Sequence, residues 1–128
     1  MVLIEIGKNY SKNFEVKLMQ AVQNALLDVF KITDEALNIR LLIHEKHRFM
    51  VPINLDPEQY VLVSIDCFSG RTKESKRLLY KTIVNNLNLL NIPRDHVKIV
   101  LREAPRENWG ILGGFAGCDV DVGYKVEV

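Results

Sequence analysis

The chain has 128 residues, with 17 lysines and arginines against 16 aspartates and glutamates and a net charge of +1. That length suits one compact domain, or two half-sized units sharing a core, because each half alone would bury too little apolar surface to stand by itself. Opposite charges alternate rather than cluster, so no field gathers nucleic acid or an anionic membrane, and no apolar stretch is long enough to span a bilayer.

In chain order, Val2 to Ile6 is β-branched and apolar and is broken by Gly7 to Asn9, which predicts a first strand. Ser11 is placed to cap a helix ending near Phe30, in which Met19, Val22, Leu26 and Val29 recur at helical spacing. Leu37 to His44 reads as a second strand, and Arg48 to Ile53 as a short extended piece before the connection at Pro52 and Pro57. Tyr60 to Phe68 is a third strand, and Thr72 caps a second helix running to about Leu90, with Pro93 following its end. Val97 to Arg102 is a fourth strand. A glycine-rich stretch from Gly110 to Gly117 implies a tight hairpin, and the alternating tail from Val120 to Val128 reads as an edge strand.

These elements are one unit written twice. A shift of about sixty positions pairs Leu18 and Met19 with Leu78 and Leu79, Ile32 with Ile92, Leu37 with Val97 and Leu41 with Leu101. The expected fold is therefore α/β in a two-layer α+β arrangement. Two tandem β-α-β units, about 1–59 and 60–128, form one four-stranded sheet with both helices on one face. The other face would meet water, yet Leu41 to Ile43 and Ile99 to Leu101 are continuous apolar runs rather than alternating ones. Either the tail folds over that face or other copies of the chain cover it, and the patterning favours a closed cyclic oligomer.

Two patches interrupt this regularity. Arg71 stands just before the second helix, where a cation opposes the macrodipole at a cost of up to about 1 kcal/mol. It is either a solvated surface arginine or, with the free N–H groups of the first turn, a holder for a carboxylate. Trp109, the single tryptophan, is flanked by charged and glycine residues from Pro105 to Gly114, so it either closes an apolar pocket or anchors a subunit interface. His44 and His47 lack a third soft ligand, so no metal site is expected. Cys67 sits in an apolar strand and reads as a packed thiol. The strands also lack the stacking aromatics of an RNA-binding sheet.

Gly70-Arg71-Thr72-Lys73-Glu74 after a strand, followed downstream by Arg106-Glu107-Asn108-Trp109 and the Gly110 to Gly114 hairpin, resembles the tautomerase superfamily. The doubled unit is similar to its double-length members, the malonate semialdehyde decarboxylase group among them, whose halves each resemble a 4-oxalocrotonate tautomerase subunit. The resemblance implies a homotrimer with sheets around a central axis and a site at the chain start acting on a small 2-oxo or enol carboxylate, with no cofactor. There the N-terminal amine, of Val2 or of Met1 if that residue is retained, would shuttle a proton. Arg71 would clamp the carboxylate, Lys98 or Arg40 would polarise the carbonyl, and Trp109 and Arg106 would complete the binding site.

Three departures qualify these expectations. The family's N-terminal proline is absent, since the chain begins Met1-Val2-Leu3. Ala36, with Glu35 beside it, stands where decarboxylase relatives carry an acid that activates water. Asn38 and Lys98 stand where short tautomerases carry an arginine, and lysine lacks the bidentate fork. A noncatalytic trimer that binds a metabolite or serves as a structural partner is the competing expectation. The two cysteines make no disulfide framework, and with no signal peptide ahead of the first strand the expected compartment is the cytoplasm.

Overall fold

A computed structural model describes residues 1–128. The chain runs β1 (Val2–Ile6), α1 (Lys12–Ala25, continued by a π turn at Leu26–Phe30), β2 (Ile39–Ile43), β3 (Val61–Phe68), α2 (Lys73–Asn88), β4 (Val97–Ala104) and a small hairpin of β5 (Gly110–Ile111) and β6 (Phe115–Ala116). The main sheet has the order β2-β1-β3-β4. β1 and β2 are parallel with Val2 opposite Ile39, β3 and β4 are parallel with Val61 opposite Val97, and β1 and β3 join the two copies antiparallel with Ile4 opposite Val63. This is the expected two-layer α+β arrangement of two β-α-β units.

The strand period of two decides what the helices cover. Val2, Ile4 and Ile6 of β1, with Val61, Val63, Ile65 and Cys67 of β3, point into one core. The helices meet them with Leu18, Val22 and Ala25, and with Leu79, Ile83 and Leu87, at helical spacing. Each fully buried branched side chain contributes roughly 1.5–3 kcal/mol. The repeat extends to the helix ends. Ser11 and Thr72 each accept from the amide three residues on, at 3.2 and 3.1 Å. Both helices stop at a left-handed residue, Lys31 (φ 57°) and Asn91 (φ 68°), ahead of a buried isoleucine.

The alternate strand positions, including Leu3, Leu42, Leu62 and Val100, lie on the opposite face, where Leu42 and Val100 are exposed. The tail does not cover them. Residues 120–128 form no strand, contrary to the alternation in the sequence. Gly123 (φ 80°) turns the backbone and its N–H donates to the Asp121 carboxylate at 2.8 Å. The tail instead ends on α2, where the Val128 carbonyl accepts from Ser75 Oγ (2.6 Å) and Thr72 Oγ1 (3.3 Å). The expected extended piece at Arg48 to Ile53 is also absent, because Lys46–Arg48 forms a 3-10 turn and the chain then leaves Met50 and Ile53 in solvent. β2 begins at Ile39 rather than Leu37, behind a 3-10 turn at Asp34–Ala36. No helix is long and apolar enough to cross a membrane.

Candidate active site

Where β1 begins and β3 ends, the sheet leaves a cavity of about 730 Å³. Its walls are the loop after α1 (Ile32, Thr33, Glu35, Ala36, Leu37), the end of β3 (Asp66, Cys67, Phe68), the hairpin from Trp109 to Leu112 and the tail from Asp121 to Tyr124, with Met1 at its floor. The lining is mostly apolar. Its charged side chains are the carboxylates of Glu35, Asp66 and Asp121, and no lysine or arginine is among them.

Met1 extends the β1–β3 pairing by one residue. Its amine donates to the Asp66 carbonyl at 2.8 Å, and its own carbonyl accepts from the Asp66 amide at 2.8 Å. Burial pushes the amine below its ordinary pKa, Asp66 and then Cys67 oppose that shift, and Arg40 adds to it. Val2 differs: its side chain is in the core and its N–H donates to the Asn38 carbonyl at 2.8 Å, on the β2 side. An amine on Met1 and an amine on Val2 would thus stand on opposite flanks of β1.

The Asp66 carboxylate is gripped side-on by Arg102, with Nε to Oδ1 at 2.8 Å and Nη2 to Oδ2 at 3.3 Å. That hydrogen bond holds Asp66 below its ordinary pKa, against a smaller opposing effect of burial. Asp66 is a site residue that the sequence reading missed. The signal was present, since it is the one charged side chain within Val61–Phe68.

Trp109 stands in the cavity wall with its ring edge-on to Phe68, the centroids 5.3 Å apart. Its Nε1–H is buried with no hydrogen-bond partner. A buried, unpartnered donor costs about 1–3 kcal/mol, and the indole nitrogen is closed off from the cavity that the residue lines.

Arg71 is neither solvated nor in the lining. It is 6% exposed, its guanidinium lies 4.7 Å from the centroid of Phe30, and its Nη1 donates to the Phe68 carbonyl at 2.9 Å. The π turn of α1 delivers Phe30 to that place, and the ring and the Phe68 carbonyl offset a cation set before a helix N-terminus. Its Nε and Nη2 make no well-formed hydrogen bond, and the Tyr124 hydroxyl is near enough to interact with the guanidinium. Tyr124 joins the two places, for it lines the cavity and faces the Arg71 guanidinium.

The other expected site residues lie apart from the cavity. Arg106 donates to the carbonyls of Gly117 (3.0 Å) and Val120 (2.8 Å), which fastens the root of the tail. Arg40 is exposed on the uncovered sheet face beside β1, opposite Leu3. Lys98 is exposed on the same face, four residues up β4 from Arg102, or roughly 13 Å. Of the histidines, His44 pairs with Glu5 at 2.9 Å and His47 lies 3.6 Å from Glu45.

Two β-α-β units sharing one sheet, with an apolar cavity where β1 begins, define a doubled β-α-β protein of the two-layer α+β class. The family model described as tautomerase enzyme matches residues 37–112, and the chain belongs to that family. It is 30% identical over 53 residues to a probable tautomerase of Ralstonia nicotianae, a match spanning 41% of this chain and 76% of that protein. Among solved structures, malonate semialdehyde decarboxylase superposes with a TM-score of 0.83 at 17% identity, covering 94% of this chain and 99% of the other. A fused 4-OT described as an asymmetric trimer superposes with a TM-score of 0.82 at 16% identity, covering 92% and 96%. At those identities the two structures establish the fold alone.

Proposed function

We propose that the protein transfers a proton between the keto and enol forms of a small 2-oxo or enol carboxylate, as a homotrimer. The observation that carries this reading is that Met1, which bears the amine, and the Trp109 side chain line one apolar cavity. The amine, held below its ordinary pKa, is the proton carrier, with more of it neutral at pH 7 than an exposed amine would have. The Trp109 ring walls the cavity and excludes water. Arg71 receives the carboxylate on its two free donors, and Arg40, the cation already acting on the amine, or Lys98 polarises the carbonyl. Arg106 serves the ligand by holding the hairpin and tail that wall the cavity.

The trimer is supported by the apolar side chains left on the uncovered sheet face and by the trimeric state of the fused 4-OT relative. With one thiol buried and one exposed and unpaired, a reducing cytoplasm suits the chain. A noncatalytic binder is favoured by one observation, the three carboxylates and no cation in the lining.

The test is an intact-mass spectrum of the natively produced protein, to establish whether Met1 or Val2 carries the amine, followed by a keto-enol assay on that sample with phenylenolpyruvate. Turnover that Val2→Pro raises and Arg71→Ala abolishes supports the enzyme. Silence of both variants, with no binding of a carboxylate, overturns it in favour of the fold without the chemistry.

A further inference from the structure

Two arginines of this chain stand in contrasting states. Arg102 presents Nε and Nη2 to the two oxygens of Asp66 and is satisfied side-on. Arg71 has the same pair of donors, Nε and Nη2, without well-formed hydrogen bonds, in a side chain nine-tenths buried. That edge of a guanidinium accepts a carboxylate bidentately, as Arg102 does within this molecule. Burying two donors unmet is costly, so something must hold Arg71 closed.

The C-terminal segment does so. Its root is fixed by Arg106 on the carbonyls of Gly117 and Val120. Its far end is fixed on α2 by Val126, 2% exposed and packed against Gly70, and by the Val128 carbonyl on Ser75 and Thr72. Between the anchors lies Gly123, in the left-handed region with nothing near the place a Cβ would take. Tyr124, the next residue, lines the cavity and stands in the chain between Gly123 and the Val126 that packs on Gly70, the neighbour of Arg71, and its side chain is near enough to interact with the Arg71 guanidinium.

We propose that residues 121–128 are a strap that gates Arg71: a carboxylate in the cavity reaches the empty guanidinium edge only when the strap swings at Gly123 and carries Tyr124 aside. This rests on the small-carboxylate reading above and adds to it a closed and an open state of the site. The closed state lowers apparent affinity by the fraction of molecules that are open, so removing Tyr124 tightens binding by about tenfold if one molecule in ten is open.

The test uses the full chain with 2-oxobutyrate as probe and methyl 2-oxobutyrate, its uncharged ester, as control. Trp109, the single tryptophan, reports occupancy by its fluorescence. Exposed Lys125 reports the strap, through the rate at which trypsin removes residues 126–128, followed by intact mass. In the unmodified chain the carboxylate should speed that cleavage and the ester should not. Tyr124→Ala should tighten 2-oxobutyrate about tenfold without tightening the ester, and adding Arg71→Lys, which keeps charge and loses the fork, should cancel the gain. Equal affinity in the unmodified chain and Tyr124→Ala, with cleavage unchanged by the probe, overturns the strap and leaves the carboxylate reading standing. A probe that perturbs Trp109 in neither protein overturns the carboxylate reading itself, and the strap with it.

Discussion

The two ends of the sheet are built from the same repeat and finished differently. At one end β1 begins and β3 finishes, and there the cavity stays open. At the other, β3 begins and β1 finishes, and the linker between the copies fills the corresponding space. Gly7 lies so close to Pro57 that an added Cβ would stand 2.7 Å from its carbonyl oxygen. Phe49 stacks on His44 and meets Tyr60, and the Asp56 amide donates to His96 Nε2 at 3.0 Å. The residues before the two helix caps diverge in step. Tyr10 precedes Ser11 and stacks on Phe14 with centroids 4.2 Å apart, whereas Arg71 precedes Thr72 and keeps two unmet donors. Duplication supplied two equivalent ends, and the apolar filling of one leaves the open cavity at the other.

Substitutions at paired positions test this contrast. The largest effect is expected at Phe30, which carries Arg71. Phe30→Ala should cost about 3–5 kcal/mol in urea unfolding, while Leu90→Ala, its half-buried counterpart in the second copy, should cost less than about 2 kcal/mol. Equal losses would remove the asymmetry. Next comes ligand affinity. Arg71→Ala should weaken a 2-oxo carboxylate by about 1.5–3 kcal/mol, roughly 10- to 150-fold, in a calorimetric titration, and Tyr10→Ala should leave it unchanged. At the caps, Ser11→Ala and Thr72→Ala should each cost about 1 kcal/mol in thermal unfolding. Only Thr72→Ala should also quicken tryptic loss of the tail, since of the two caps only Thr72 binds Val128.

The smallest effect is a shift in a pH profile. If the neutral amine accepts the proton, activity should rise with pH along a limb lying below the ordinary pKa of an N-terminal amine, because burial disfavours the charged form. Asp66 favours that charged form, so Asp66→Asn should move the limb to still lower pH. A limb that stays put would detach Asp66 from the amine.

The frame of this molecule was legible because it rests on periodicity. Helical spacing in Met19, Val22, Leu26 and Val29, caps at Ser11 and Thr72, and the sixty-residue shift are local signals that packing reinforces. The tail misled because Val120 to Val128 alternates like a strand, while its course is decided by Gly123 and by anchors on Ser75 and Val126 that no local pattern announces. The site was legible in kind and displaced in detail. Trp109 lies in the cavity wall. Arg71 is set behind Tyr124, through contacts with Phe30 that are forty residues away in sequence and depend on a π turn. Arg106 stands out in the same motif, and its donors are spent on carbonyls of the tail. Asp66 acquires its meaning only from register, which sets it beside Met1 and opposite Arg102.

The most direct test of the open end is the indole resonance of Trp109, which is unambiguous in a chain with one tryptophan. In a ¹H–¹⁵N spectrum titrated with 2-oxobutyrate, the Nε1–H signal should move as the probe packs against the ring that walls the cavity, while the amides of Gly7 and Phe49 at the filled end stay still. An indole signal that does not move at saturating probe, or a response confined to Gly7 and Phe49, would contradict the assignment of the functional site to the cavity where β1 begins.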